Sequence, residues 1–103
     1  MMEEFNVKFR TDDHWNTGGA LGKNEYRLWA FADGGSGEYT YTWYKKSVPV
    51  GENMGEYEFN KTDDHDSYVY AMARKNYVVV WKCVVSDGTE TAEHEFFLQY
   101  ANS

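Results

Sequence analysis

The sequence predicts an all-β protein, an antiparallel β-sandwich of about seven strands. Short runs that alternate in polarity or are wholly apolar recur about every ten residues, with turn residues between them. Aromatic residues, which favour strands, make up 18% of the chain, and no stretch has the period of a long helix. With 103 residues and 42% hydrophobic residues, we expect one domain over residues 1–103.

Each predicted strand is a run with alternating or continuous apolar character. The predicted strands span residues 4–10, 25–32, 38–45, 56–60, 68–73, 77–85 and 90–100. In the second strand we prefer Leu28 and Ala30 facing the core, but Trp29 and Phe31 are apolar enough to leave the opposite orientation open. The predicted connections include a long loop over 11–24, irregular structure over 47–55 and a charged loop over 61–67.

The third and sixth strands are predicted to form the centre of the sandwich. In the third, Tyr39, Tyr41 and Trp43 occupy alternate positions, as one face of a pleated strand requires. The sixth is apolar on both faces except at Lys82, which is typical of a covered strand. We expect Trp43 and the strand that carries Cys83 to lie in opposed layers of the sandwich.

The segment Ser86–Thr89 gives the sharpest local prediction. Asp87 and Gly88 lie between two apolar runs, and Asp-Gly favours a tight hairpin in which both residues adopt positive φ.

Net charge limits the class of partner, and cysteine content indicates the redox state of the compartment. The net charge of −7 disfavours nucleic acid and anionic membranes as partners. A single cysteine excludes an internal disulfide, and the start M-M-E-E-F has no signal-peptide character. We therefore expect synthesis and persistence in a reducing compartment.

Two segments carry a resemblance to a known family. G-G-S-G-E-Y-T-Y-T-W-Y-K-K (34–46) and V-W-K-C-V-V-S-D-G-T-E-T-A (80–92) resemble bacterial and phage immunoglobulin-like, PKD-like domains, over about residues 26–98. The resemblance implies an immunoglobulin-like β-sandwich in which Trp43 is the core tryptophan of the third strand and Cys83 occupies the sixth-strand cysteine position. The chain departs from the disulfide-bonded pattern, because the second strand has no cysteine and Trp81 stands where a tyrosine is expected.

Four residues are candidates for a binding surface. Trp15 lies in the long first loop beside His14, and Trp29 and Tyr44 have positions compatible with the outer faces of the sheets. An aromatic ring beside polar groups can anchor a protein interface or stack on a sugar. The alternative for Trp15 is that it folds back to cap the core.

The acidic segments are weak candidates for a metal site. Asp63 and Asp64 belong to a Thr-Asp-Asp-His segment at 62–65 and Asp66 follows it, and a second such segment covers residues 11–14. Carboxylates suit Ca²⁺, but the ligand spacing of a calcium loop is missing and the two segments are expected at opposite poles. We therefore predict no metal, no cofactor and no catalytic residues.

Such domains in phages commonly decorate heads and tails. The resemblance thus implies a non-enzymatic virion protein, made in the host cytoplasm, whose partners are capsid or tail proteins. The alternative is a carbohydrate-binding or adhesin module from a secreted bacterial protein, with host-surface glycans as partners. Fold alone does not choose between them.

Overall fold

Seven strands form the protein, in a computed structural model that describes residues 4–52 and 58–100. The strands are β1 (Asn6–Asp13), β2 (Glu25–Asp33), β3 (Thr40–Pro49), β4 (Asn60–Asp63), β5 (Tyr68–Met72), β6 (Tyr77–Ser86) and β7 (Thr91–Leu98). The predicted all-β class is confirmed. Among these described residues, no helix is long and apolar enough to cross a membrane.

The strands are arranged in two antiparallel sheets. One sheet has the order β1-β2-β5 and the other the order β4-β3-β6-β7. The core lies between them, and the preferred orientation of β2 is confirmed because Leu28 and Ala30 are fully buried. In the constant-type immunoglobulin arrangement the fourth strand joins the sheet of the first, second and fifth strands, whereas here β4 pairs with β3.

The strand boundaries differ from the predicted ones at charged segments and at the end of β3, which continues through Pro49 into the segment predicted as irregular because residues 46–49 keep their register with β6. β1 continues through Asp13, because residues 11–13 keep their register with β2. Lys61 and Asp63, predicted in a charged loop, belong to β4 instead. Both β1 and β4 are edge strands, where charged side chains are common. The predicted alternation at Tyr57 lies outside the described residues.

Trp43 and Cys83 face each other on neighbouring strands of the same sheet. They are register partners in the β3–β6 pair, and both are fully buried. The expectation of opposed layers was wrong, because directly opposed residues on paired strands point to the same side of one sheet. The indole ring of Trp43 packs beside Phe96, at 5.9 Å between ring centroids.

The hairpin between β6 and β7 is confirmed, but its geometry differs from the prediction. Ser86 pairs with Thr91, so the loop spans residues 87–90, and of Asp87 and Gly88 only Gly88 has positive φ. The Asp87 carboxylate instead accepts hydrogen bonds from the backbone N–H groups of Thr89 at 2.8 Å and Glu90 at 2.6 Å. A side-chain cap therefore determines this turn.

Candidate functional site

The outer face of the three-stranded sheet carries large rings and cations. Its cross-strand rows are Asp12–Arg27–Tyr70, Arg10–Trp29–Tyr68 and Lys8–Phe31. Together with Met72, these residues form what we call the aromatic face. Leu28, Ala30 and Ala71 occupy the alternate, buried positions. Because side chains alternate between the faces of a strand, burying these three places the rings outside.

Four aromatic rings form a continuous row across the aromatic face. Phe31 stacks on Trp29 with ring centroids 5.5 Å apart, Trp29 lies 4.9 Å from Tyr68, and Tyr68 meets Tyr70 edge to face at 5.7 Å. The exposed fractions are 42% for Phe31, 40% for Tyr68 and 61% for Tyr70. The row is therefore both mutually packed and open to solvent, a combination typical of an interaction surface.

Trp29 is held at the centre of this row by charged neighbours. The guanidinium carbons of Arg10 and Arg27 lie 4.9 Å and 4.8 Å from its ring centroid, and its indole N–H donates to Asp12 Oδ2 at 2.6 Å. The same oxygen lies 3.1 Å from Arg10 and 3.5 Å from Arg27. Desolvation favours the neutral acid, but the hydrogen bonds from Trp29 and Arg10 outweigh it and lower the pKa of Asp12.

The packing of Trp29 limits what the aromatic face can bind. Its ring is already in contact with Phe31, Tyr68 and both guanidinium groups. A sugar ring needs an open aromatic face on which to stack, and the Trp29 ring already has these four groups against it. Phe31, Tyr70 and Met72, each more than 40% exposed, offer apolar area suited to a protein surface.

His14 and Trp15 lie in the β1–β2 loop. The Asp13 carboxylate accepts the backbone N–H groups of Trp15 and Asn16, and His14 Nδ1 donates to the Leu21 carbonyl at 2.9 Å. Leu21 is buried, whereas Trp15 is 80% exposed. The alternative in which Trp15 caps the core is therefore wrong.

Tyr44 lies on the opposite side of the molecule from Trp29. It points outward from β3 in the four-stranded sheet and is half-buried, with the Lys82 ammonium group 5.7 Å from its ring centroid. Lys82 also lies 3.7 Å from Glu93. The four predicted binding residues therefore occupy three separate regions, the β1–β2 loop and the two outer sheet faces, and do not form one site.

The predicted core residues are buried as expected. Trp43 and Cys83 are fully buried and Trp81 is 7% exposed. The Trp43 indole N–H donates to the Asp66 carbonyl at 2.6 Å. Burial raises the pKa of the Cys83 thiol to about 12, so its thiolate population at neutral pH is very small.

The acidic candidates are engaged with their own neighbours. Asp64 contacts Lys61 at 2.6 Å and His65 at 3.0 Å, and the hydrogen bond from Lys61 lowers its pKa. A hydrogen bond with Asp63, together with the charge of that residue, raises the pKa of Asp66. Within residues 4–52 and 58–100, no three His, Cys, Asp or Glu side chains converge as metal ligands would.

A cleft lies between the two sheets on the side of β4 and β5. Its lining residues are Thr62, Asp63, Asp66, Tyr68, Val69, Tyr70 and Trp81. On the other side, Phe9 of β1 stacks on His94 of β7 at 5.1 Å between ring centroids, which closes the gap between the sheets. The two sheets are thus bridged by this contact on the side of β1 and β7 and separated by the cleft on the side of β4 and β5.

Comparison with protein-family models, curated protein sequences and solved structures found no match. The assignment of the aromatic face as the candidate site therefore comes from the geometry of this chain alone.

Sequence reasoning found Trp29 but missed most of the aromatic face. The sequence places Tyr68, Tyr70, Arg10 and Arg27 in strands but indicates no surface role for them. The available signal was the inner positions: Ala30 and Ala71 are small, so the bulky residues that alternate with them belong outside. The lateral contacts with Trp29 depend on strand pairing, which the sequence does not specify.

Proposed function

We propose that this chain is a non-enzymatic binding module with an immunoglobulin-like fold that docks on another protein through the aromatic face. The observation that carries the proposal is the continuous row of Phe31, Trp29, Tyr68 and Tyr70 on the outer face of the three-stranded sheet. Aromatic and arginine side chains dominate the energetics of protein interfaces. Because these rings pack on each other, little rotamer entropy remains to be lost on binding.

The charges at the centre of the aromatic face indicate which kind of partner surface would complement it. Lys8, Arg10 and Arg27 lie there with a single carboxylate, Asp12, whereas the whole chain has a charge of −7. Glu25 and Asp33 occupy the two ends of β2. A partner surface with apolar residues beside carboxylates would complement this arrangement.

The proposed partner class is a virion protein, so that the chain decorates a phage head or tail. The support is the likeness of residues 34–46 and 80–92 to domains that have this role in phages. Docking through one sheet face would leave most of the acidic surface in solvent, which favours solubility.

The test is co-sedimentation with heads and tails purified from the phage or prophage that carries the gene. The double variant Phe31→Ser, Tyr68→Ser removes two exposed rings, and we expect it to weaken binding by about 100-fold, the loss typical of interface anchors. Phe97→Ser is the matched control, because Phe97 is 61% exposed on the other sheet. Equal loss in both variants, or retention by the double variant, contradicts the proposed docking face.

A second candidate function is glycan binding through Trp15, favoured by the 80% exposure of its indole. Its ring contacts His14 edge to face at 4.8 Å, which leaves open indole surface for a sugar. Affinity electrophoresis in polysaccharide gels tests it. Retardation that is abolished by Trp15→Ala and kept in the Phe31→Ser, Tyr68→Ser variant would favour the glycan function over protein docking.

A further inference from the structure

Strand β5 is an edge strand that lacks the usual protection. It ends the order β1-β2-β5, and in the part of the chain that the structure describes it is bonded to β2 alone. Its sequence, Y-V-Y-A-M over 68–72, contains no charge, glycine or proline. The other described edge strands, β1, β4 and β7, all carry charged residues. Proteins protect free edges with charge, proline or short length, and an uncharged edge is a template for pairing with another strand.

The backbone of β5 presents its free hydrogen-bonding groups in a defined pattern. The Ser67 carbonyl accepts from Ala30 N–H at 2.8 Å, and Ala73 N–H donates to the Asn24 carbonyl at 2.9 Å. In an antiparallel ladder the N–H and C=O of one residue point to the same side and alternate along the strand. The backbone N–H and C=O groups of the odd-numbered residues therefore point toward β2. Those of the even-numbered residues of β5 point toward the outer edge of the sheet.

We propose that a second copy of this chain pairs antiparallel with β5, with Tyr70 on the two-fold axis. Tyr70 then exchanges both backbone hydrogen bonds with Tyr70 of the second copy, and Tyr68 does so with Met72 of the second copy. This register uses all the N–H and C=O groups that β5 directs outward. A contact of this kind is isologous, so it closes as a dimer and leaves no free β5 edge.

Charge complementarity supports a second copy as the occupant. Asp66 lies two residues before β5 and Arg74 two residues after it, so the same register places Asp66 opposite Arg74 of the second copy. The two-fold symmetry of the dimer forms this Asp66–Arg74 ion pair twice. Within one chain the carboxyl of Asp66 is next to another acid, Asp63, and its pKa is raised, so an approaching guanidinium group relieves an existing repulsion.

The dimer also extends the aromatic face. Two three-stranded sheets become one continuous sheet. Each copy's row of aromatic rings ends at Tyr70, so the two rows meet at the two-fold axis. The inference does not depend on the proposed protein docking, although a doubled face would add avidity to it.

Sedimentation velocity over a range of protein concentrations tests the dimer. We expect the 12.0 kDa chain to sediment as a species of twice that mass at high concentration. Asp66→Arg places arginine opposite Arg74, and Arg74→Asp places aspartate opposite Asp66, so each single variant should weaken association by about tenfold. The double variant Asp66→Arg, Arg74→Asp restores opposite charges and should restore the dimer.

Tyr70→Lys is a second probe, since it sets two ammonium groups facing each other at the axis. Phe97→Lys is the matched control, because Tyr70 and Phe97 are both 61% exposed, and it should leave association unchanged. Thermal melts verify that each variant is folded. A wild-type chain that is monomeric up to about 1 mM overturns the proposal. So does a dimer that tolerates Tyr70→Lys, or single charge variants that the double variant does not rescue.

Discussion

The indole N–H of Trp29 donates a 2.6 Å hydrogen bond to the carboxylate of Asp12, which also holds Arg10 and Arg27 beside the same ring. One carboxylate thus positions a tryptophan and two guanidinium groups across two strands. The aromatic face is in consequence a preorganised surface, and its shape depends on an acidic residue that does not itself contribute apolar area.

Replacing Asp12 with alanine should loosen the aromatic face. The Trp29 indole loses a charged acceptor, a kind of hydrogen bond worth about 1.5–3 kcal/mol. We expect hydrogen exchange of the Trp29 indole proton, followed by NMR, to accelerate by about tenfold or more. Asp33→Ala, at the other end of the sheet, serves as the control. An unchanged exchange rate in Asp12→Ala contradicts the positioning role.

The four tryptophans should differ widely in their contribution to stability. Trp43→Phe removes part of a fully buried ring and leaves the Asp66 carbonyl without its 2.6 Å donor. We expect a loss of about 2–4 kcal/mol in the free energy of unfolding, measured by urea denaturation. Trp15→Phe, at an 80% exposed position, should change it by less than about 0.5 kcal/mol. Similar losses in both variants would contradict the assigned positions of the two rings.

Cys83 should be unreactive in the native protein. Burial raises its pKa to about 12, and its side chain has no exposure through which a reagent can reach the sulfur. We expect iodoacetamide labelling at neutral pH, followed by mass spectrometry, to be slower by at least about 1,000-fold than in denaturant, since only open states react. Rapid stoichiometric labelling of the folded chain would show that the thiol is accessible.

Asp87 should make the stability of the protein depend on acid pH. Hydrogen bonds from the backbone N–H groups of Glu90 and Thr89 lower its pKa in the folded state. Its contribution is therefore fully present above the unfolded pKa of about 3.9 and is lost as pH falls through the folded value.

Thermal unfolding across this pH range tests the role of Asp87. Asp87→Ala should lower the unfolding temperature at neutral pH and reduce its fall on acidification. Asp33→Ala is the control, because the Asp33 carboxylate accepts a local N–H, that of the next residue Gly34. A variant that keeps the full acid dependence of the wild type would show that other carboxylates carry it.

The sequence predicted the fold class because the strands of this chain are local patterns. Alternation at Tyr39, Tyr41 and Trp43, and the apolar run at 77–85, depend only on which residues are neighbours in the chain. The same patterns favoured Leu28 and Ala30 facing the core, the family resemblance implied core positions for Trp43 and Cys83, and all four residues are buried. Even the hairpin at Asp87 was recognised, although its four-residue loop and side-chain cap were not.

Pairing between strands, by contrast, was decided by the tertiary structure. The sequence did not determine that Trp43 and Cys83 lie side by side in one sheet, or that Arg10, Trp29 and Tyr68 form one row. A strand's pattern specifies which face is buried, whereas its neighbour and register follow from how all the buried faces pack at once. The core was therefore predictable from the sequence, but the aromatic face and the free edge of β5 appear only when distant strands are brought together.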